Sequence, residues 1–268
     1  MVSAPDIRLV AVDMDGTLLD DEHRVPPTLW PLLAELRRRG VAFCPASGRQ
    51  YANLAERFAR VADGTPFVAE NGAVVVRDDA VLRCDVLDRE VVARAVTAVR
   101  ALTASGADVG AVVCGPRTAY VERHDAAFRR EVDRYYSAVV DVDDTVVKVA
   151  VHDSGEAASS TEPALAALRD THKVVLSGAH WVDVQGASTD KGAALRVVQQ
   201  ALGVTRAQTV AFGDHLNDLE MLDAAEHSYA MANAHPDVLA RARHTAPANT
   251  EDGVVRTLSA LLRVPLER

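Results

Sequence analysis

The stretch that most constrains this chain is Ile7–Val12, a short and nearly unbroken apolar run that stops at Asp13. Without the alternation of a half-exposed strand, such a run predicts a strand covered on both faces, as in a parallel sheet flanked by helices. The next sixty residues keep to that plan. Pro26, Pro27 and Thr28 open a helix carrying Trp30, Leu32, Leu33 and Leu36, and Gly40 ends it. Val41–Phe43 reads as a second strand. Ser47-Gly48-Arg49 turns into a helix with Tyr51, Leu54, Ala55 and Phe58 on one face, and Phe67–Ala69 gives a third strand. The β-α-β-α-β opening predicts a doubly wound, mainly parallel α/β domain with right-handed crossovers.

After Gly72 the rhythm changes. Ala73–Val76 and Val81–Val86, joined by Arg77-Asp78-Asp79, read as a hairpin. Helices are expected around Val91–Val99, Ala126–Tyr136 and Pro163–Arg169. Strands are expected near Val109–Cys114, Ala119–Glu122, Val146–Val151, Lys173–Leu176 and Trp181–Val184. Paired strands interleaved with helices predict an α+β layer. From Asp190 the β/α alternation returns, with helices at Lys191–Leu202, Asn217–Ala225, Pro236–Arg243 and Glu251–Leu262, and strands at Thr209–Phe212 and Ser228–Met231. The expected organisation is a core made from residues 1–79 and 187–268, with an α+β cap inserted as residues 80–186 and hinges near Gly72–Arg77 and Gln185–Thr189. Insertion at an exposed loop is physically well tolerated.

Composition narrows the function. The 268 residues are 49% hydrophobic and carry a net charge of −9, which supplies a full core and argues against a nucleic-acid binder with a basic stripe. Cys44, Cys84 and Cys114 are odd in number, widely spaced and in no CxxC pair, so a reducing compartment is expected. The one apolar run at the N-terminus is cut by Asp13, no stretch reaches the roughly 20 apolar residues of a membrane span, and a cytoplasmic location is expected.

Four clusters carry chemistry. Asp13 and Asp15 stand at the carboxyl end of the first strand, where open α/β sheets place their ligand crevices. Two carboxylates two residues apart on a tight turn suit a nucleophile and a proton donor facing one substrate; Gly16 permits the turn and Thr17 pins it. Ser47-Gly48 offers a hydroxyl and backbone N–H groups at a helix start, either for a phosphate or as a plain N-cap. Lys191 is one of three lysines against 26 arginines. It reads as a point-charge phosphate ligand or as a solvated surface residue. In Gly213-Asp214-His215-Leu216-Asn217-Asp218, Asp214 offers a hard oxygen to magnesium, Asn217 a contact to phosphate oxygens and Asp218 an anchor for metal-bound water. Asn217 and Asp218 suit helix capping as well. All four clusters fall just past a strand or at a helix start of one expected sheet.

The set Asp13-x-Asp15-Gly16-Thr17, Ser47-Gly48-Arg49, Lys191 and Gly213-Asp214-x-x-Asn217-Asp218 resembles the four motifs of the haloacid dehalogenase-like (HAD) phosphatases. Glu70-Asn71-Gly72-Ala73, the large insertion, and Thr250-Glu251-Asp252-Gly253-Val254 resemble their Cof-like branch. The resemblance implies a Rossmann-like core and a magnesium-dependent phosphatase acting on a small phosphorylated metabolite, such as a sugar phosphate. In it Asp13 is the nucleophile, Asp15 the general acid and then base, and Ser47 and Lys191 the phosphate ligands. Magnesium is held by Asp13, the backbone carbonyl of Asp15 and Asp214, with Asp218 in support. Arg49 is expected to form a structural salt bridge near the site, and His215 to fill space. The remaining histidines, His152 and His180 among them, are expected at the surface or in loops. Arg117, Tyr120, Arg123, Lys148 and Trp181 are candidates for substrate contact from the cap. No nucleic acid or membrane is expected as a partner, and a monomer or homodimer is. The alternatives are a phosphosugar mutase using the same aspartyl-phosphate, and a non-enzymatic sensor of phosphorylated metabolites.

Overall fold

A computed structural model describes residues 5–135 and 145–264. The first half of the core runs β1 (Leu9–Val12), α1 (Leu29–Arg38), β2 (Ala42–Pro45), α2 (Tyr51–Arg57), β3 (Pro66–Ala69), β4 (Val74–Arg77) and β5 (Ala80–Cys84). The insertion comes next as α3 (Arg89–Ala104), β6 (Val109–Cys114), β7 (Ala119–Val121), α4 (Ala126–Tyr135), β8 (Lys148–Asp153), α5 (Thr161–Leu165), β9 (His172–Gly178) and β10 (Trp181–Gly186). The chain then adds α6 (Lys191–Leu202), β11 (Thr209–Gly213), α7 (Leu219–Asp223), β12 (His227–Met231), α8 (Pro236–Arg241), β13 (His244–Ala246) and α9 (Gly253–Leu262). Tyr136, expected in the helix that begins at Ala126, lies outside the described residues.

Every residue of β1 is fully buried, as its unalternating apolar run requires. It lies within a parallel five-stranded sheet of order β13-β12-β11-β1-β2. The chain winds to one side of β1 through β2 and returns on the other through β11. The carboxyl ends of β1 and β11 therefore flank the switch point at which such sheets bind ligands. β3 touches this sheet through one parallel bridge, Ala46 to Val68, and continues antiparallel into β4 and β5. β13 had no signal in the sequence: it is three residues long, two of them exposed, and its pairing with β12 is decided by tertiary neighbours.

The second five-stranded sheet is antiparallel, in the order β7-β6-β8-β10-β9. Its two faces are set by the period of two along each strand. Val149 and Val151 of β8 and Val182 and Val184 of β10 pack in a cluster with Val91, Ala95 and Val99 of α3 and Leu165 of α5. Their alternates, Lys148 and His152 on β8 and Trp181 and Asp183 on β10, all line one cavity that the core also lines. Residues 80–84 form β5 and pair antiparallel with β4, the hairpin expected of Ala73–Val76 and Val81–Val86. The chain leaves β5 through residues 85–88 and returns to α6 through residues 187–190, and the two passages are tied together. Thr189 Oγ1 donates to the Asp85 carboxylate at 2.6 Å, and Gln185 Nε2 donates to the Thr189 carbonyl at 2.9 Å. Residues 74–77, expected near a hinge, are strand β4, and the first passage lies after β5.

The segment after β2 is braced by Phe58, fully buried against Phe43, Trp30 and Phe67 with ring centroids at 5.7, 6.0 and 6.4 Å. Phe58→Ala is expected to lower the unfolding free energy by about 3–5 kcal/mol, because the aromatic cluster cannot close over the space left; urea denaturation against the parent protein measures it.

Candidate active site

The backbone leaves β1 at Asp13 and enters an irregular turn over Met14–Leu18. Gly16 there has φ +77°, and a Cβ on it would lie 2.3 Å from Asp214 Oδ2. The position therefore needs glycine twice over, for its left-handed backbone and for close approach to a carboxylate. Thr17 Oγ1 donates to Asp214 Oδ1 at 2.8 Å, and Asn233 Nδ2 donates to the Gly16 carbonyl at 2.8 Å. The turn is thus fastened to the loops after β11 and β12.

Lys191, the first residue of α6, is 1% exposed. Its ammonium donates to Asp13 Oδ1 at 2.5 Å and to Asp218 Oδ1 at 2.7 Å. Asp218 spends its other oxygen on the backbone N–H groups of Asp214 and His215, at 3.0 and 3.1 Å, which fixes the loop after β11. Asp13, Asp214 and Asp218 each offer an oxygen within 4.8 Å of the others. Burial, and then the charges of Asp218 and Asp214, push the Asp13 carboxyl well above its usual range against the pull of Lys191. Burial and the neighbouring Asp218 push Asp214 up to about 7. Burial alone would disfavour the Lys191 ammonium, but Asp13 and Asp218 outweigh it and hold it charged. Three carboxylates around one ammonium leave a site short of positive charge, and its donors are hard oxygens. Such a set of donors could hold a hard divalent cation.

Asp15 takes the opposite direction. Burial would raise its pKa, yet the His23 hydrogen bond and the Arg49 guanidinium hold its carboxyl far below the usual range. Arg49 donates through Nε to Oδ2 at 2.8 Å and through Nη2 to Oδ1 at 2.5 Å, and His23 Nδ1 lies 2.9 Å from Oδ1. No local pattern in the sequence marks His23. It has φ +58°, a left-handed conformation uncommon outside glycine, and Arg57 Nη1 donates to its carbonyl at 3.0 Å. Arg49 itself is fully buried.

Ser47 and Gly48 line the same cavity, but no helix begins there: α2 starts at Tyr51. Residues 47–50 form a loop, in which Ser47 Oγ accepts the Arg49 N–H at 3.2 Å. The Gly48 carbonyl accepts from Lys148 Nζ of the cap sheet at 2.8 Å. Lys148 is also ion-paired to Glu70 at 2.8 Å. Asn217 lies in the short turn after β11 and donates to Asn71 Oδ1 at 3.0 Å, while Asn71 Nδ2 donates to Asp183 Oδ2 at 2.5 Å. Core loops and cap sheet are therefore joined through buried polar groups.

A cavity of about 350 Å³ lies between the carboxyl edge of the parallel sheet and the polar face of the cap sheet. Asp13, Asp15, Ser47, Gly48, Asp214 and Asn217 line it, and His215 sits at its wall, packed edge-on against His235. Lys191 and Asp218 stand behind Asp13. Of the cap candidates, Lys148 and Trp181 reach the cavity. Tyr120 instead bonds Thr118, and Arg123 is paired with Asp108 and Asp125. His152, expected at the surface, is 6% exposed on β8 and lines the cavity, as do Asp183 and His180. The signal for His152 and Asp183 was present as polar residues alternating with valines, a pattern that equally describes a solvent-facing strand edge.

Residues 10–258 match the family of haloacid dehalogenase-like hydrolases, and the chain belongs to that family. It is 32% identical over 266 residues to the 5-amino-6-(5-phospho-D-ribitylamino)uracil phosphatase YbjI of Escherichia coli (strain K12), covering 96% of this chain and 97% of that protein. It is 29% identical over 269 residues to the 5-amino-6-(5-phospho-D-ribitylamino)uracil phosphatase YitU of Bacillus subtilis (strain 168), covering 93% and 96%. The crystal structure of SMU.1108c from Streptococcus mutans UA159 superposes with a TM-score of 0.84 at 25% identity, over 96% of this chain and 99% of that one. The protein is thus an enzyme of the HAD-like phosphatases, with the Rossmann-like core and inserted α+β layer of its relatives. Among the described residues no helix is long and apolar enough to cross a membrane.

The raised pKa of Asp214 makes the metal-free protein sensitive to pH. A carboxyl whose folded pKa exceeds its unfolded value near 3.8 contributes stability that is complete below that value and is lost as pH rises through about 7. In EDTA, the melting temperature of Asp214→Asn is expected to gain on the parent protein as pH rises from about 4 to about 7; parallel curves across that window would show that Asp214 carries no such strain.

Proposed function

We propose that the protein hydrolyses the phosphate monoester of a small metabolite through an aspartyl-phosphate formed on Asp13. The observation that carries this reading is the placement of Asp13, at the carboxyl end of β1, against the Lys191 ammonium and beside two further carboxylates, facing the cavity. A carboxylate driven toward its neutral form is a poor nucleophile, and the charge that restores it is a divalent cation. The residues fit magnesium: Asp13, Asp214 and the backbone carbonyl of Asp15 would hold it, with Asp218 in support. When bound, the ion supplies neutralisation of the transferring phosphoryl oxygens.

The chain's own groups then divide the work. The Asp13 carboxylate attacks phosphorus in line with the ester oxygen, and the P–O bond to the leaving group breaks as the aspartyl-phosphate forms. Asp15 delivers a proton to the departing alkoxide, then takes one from the water that cleaves the acyl phosphate, regenerating Asp13 and releasing inorganic phosphate. Lys191, the Ser47 hydroxyl, the Gly48 N–H and the Asn217 amide hold the phosphate oxygens. Asp15 enters this sequence from a resting arrangement in which Arg49 and His23 keep it ionised. Its ionised form suits the base of the second step; to act as the acid of the first, its carboxyl must leave the guanidinium and take up a proton from solvent, which the second step returns to it from water. The insertion serves as the cap that closes over the leaving group.

Asp13→Asn is expected to lower kcat at least ~10³-fold with the fold intact by circular dichroism, because the nucleophile is lost while the buried volume is kept. Phosphate release at the parental rate by that variant would refute the proposal. Asp15→Asn is expected to be nearly as slow but to accumulate phosphoenzyme, seen as a phosphorylated Asp13 peptide by mass spectrometry. Removal of divalent cations with EDTA is expected to abolish phosphate release, and added magnesium to restore it.

A further inference from the structure

The loop at residues 47–49 is held by its carbonyl oxygens. The Asn71 N–H donates to the Ser47 carbonyl at 2.9 Å, and the Glu70 N–H to the Arg49 carbonyl at 3.0 Å. Between them, the Gly48 carbonyl accepts from Lys148 Nζ at 2.8 Å. In a planar trans peptide the N–H points opposite to the C=O, so whatever grips a carbonyl also aims the next N–H. Asn71 in this way sets the Gly48 N–H, and Lys148 sets the Arg49 N–H, which donates to Ser47 Oγ at 3.2 Å. With that oxygen already accepting, the Ser47 hydroxyl keeps its own hydrogen for a further acceptor. The fit is close: a Cβ on Gly48 would lie 2.9 Å from Asn71 Oδ1.

Two of the three holds come from one strained turn. Glu70, Asn71 and Gly72 have φ of +50°, +54° and +98°, left-handed backbone at three successive positions. The same turn supplies the Glu70 carboxylate, ion-paired with Lys148 at 2.8 Å, and Asp183 Oδ2 stands 3.7 Å from the ammonium. Lys148 is 1% exposed. Burial alone would disfavour its charge, but Asp183 and Glu70 outweigh that and hold the ammonium charged. Its hydrogens are directed at core groups, a carbonyl and a carboxylate.

We infer that Lys148 is a positioning residue for the phosphate site: docking of the cap sheet seats its ammonium on the Gly48 carbonyl, and that contact completes the loop that presents the Ser47 hydroxyl. The other two holds lie within the core and persist wherever the cap stands, whereas this one comes from β8 of the insertion. Phosphate is therefore held in full only under a docked cap, whatever alcohol it is esterified to. The inference rests on the phosphate-ester reading above. It assigns Lys148 an action through Ser47, not a contact with the leaving group.

Lys148→Met is expected to lower kcat/KM by ~10-fold or more, the scale of one charge-assisted hydrogen bond, and by the same factor for acetyl phosphate and p-nitrophenyl phosphate. Calorimetric titration with inorganic phosphate in magnesium buffer is expected to show the same weakening, with no leaving group present. A double-mutant cycle separates positioning from a general structural role. In a Ser47→Ala background, Lys148→Met is expected to cost less than ~3-fold, since the group it acts through is gone. Lys148→Met also leaves the Glu70 carboxylate buried without its ammonium, so the variant combining Lys148→Met with Glu70→Gln decides the matter if the single one does not fold. A loss confined to one ester, unweakened phosphate binding, or full additivity with Ser47→Ala would overturn the inference while leaving the hydrolase intact. Failure of the parent protein to release phosphate from either ester would instead overturn the hydrolase reading, and the inference with it.

Discussion

The site hangs on one buried ammonium. Lys191 sits between Asp13 and Asp218, and none of the three is more than slightly exposed. Charges so placed lose their hydration, and geometry must compensate through direct ion pairs and further hydrogen bonds. Asp218 shows how: one oxygen takes the ammonium, while the other takes two backbone N–H groups of the loop after β11. The same loop places Asp214, which Thr17 grips from the turn after β1. Removing the ammonium would leave carboxylates facing one another at distances where they cannot all ionise. The first turn of α6, the turn after β1 and the loop after β11 thus share one electrostatic constraint.

That constraint is incomplete without a further cation. Asp13 and Asp214 are both pushed toward their neutral forms, whereas Asp15, on the same turn, is pushed firmly to its charged form by Arg49 and His23. Two carboxyls two residues apart are driven in opposite directions by what surrounds them. This separation of environments assigns different work to chemically identical groups. The left-handed backbone at His23 belongs to the same arrangement, since it brings the imidazole onto Asp15.

The second half of the cavity obeys a different logic. The cap sheet turns one valine face to α3 and α5 and its polar face to the core. Lys148 reaches across to the Gly48 carbonyl and Glu70, and Asp183 to Asn71, which bonds Asn217 in turn. The cap is therefore joined to the phosphate-side loops by hydrogen bonds and an ion pair. Polar links of this kind exchange more readily with water and ligand than an apolar seam.

Much of this was legible from local pattern. The unalternating run before Asp13, the Asp190-Lys191 helix start and the apolar strand before Gly213 established the β/α order. They also placed Asp13, Lys191 and Asp214 at one sheet edge, because strand burial and helix starts are short-range properties of neighbouring residues. The same locality explains the misses. Ser47-Gly48 looked like a helix start but is a loop whose conformation is held by Val68 and Lys148, far along the chain. His244–Ala246 became a strand only because β12 offered its edge. His152 was expected at the surface or in a loop and Asp183 carried no expectation; only the docking of the cap sheet against the core brings both to the cavity. Residue order alone therefore specified which positions alternate, which strands are buried and which turns carry carboxylates. Long-range packing settled which polar face meets a cavity and which of two aspartates is driven to its charged form, because burial and charge pairing depend on groups brought together from distant parts of the chain.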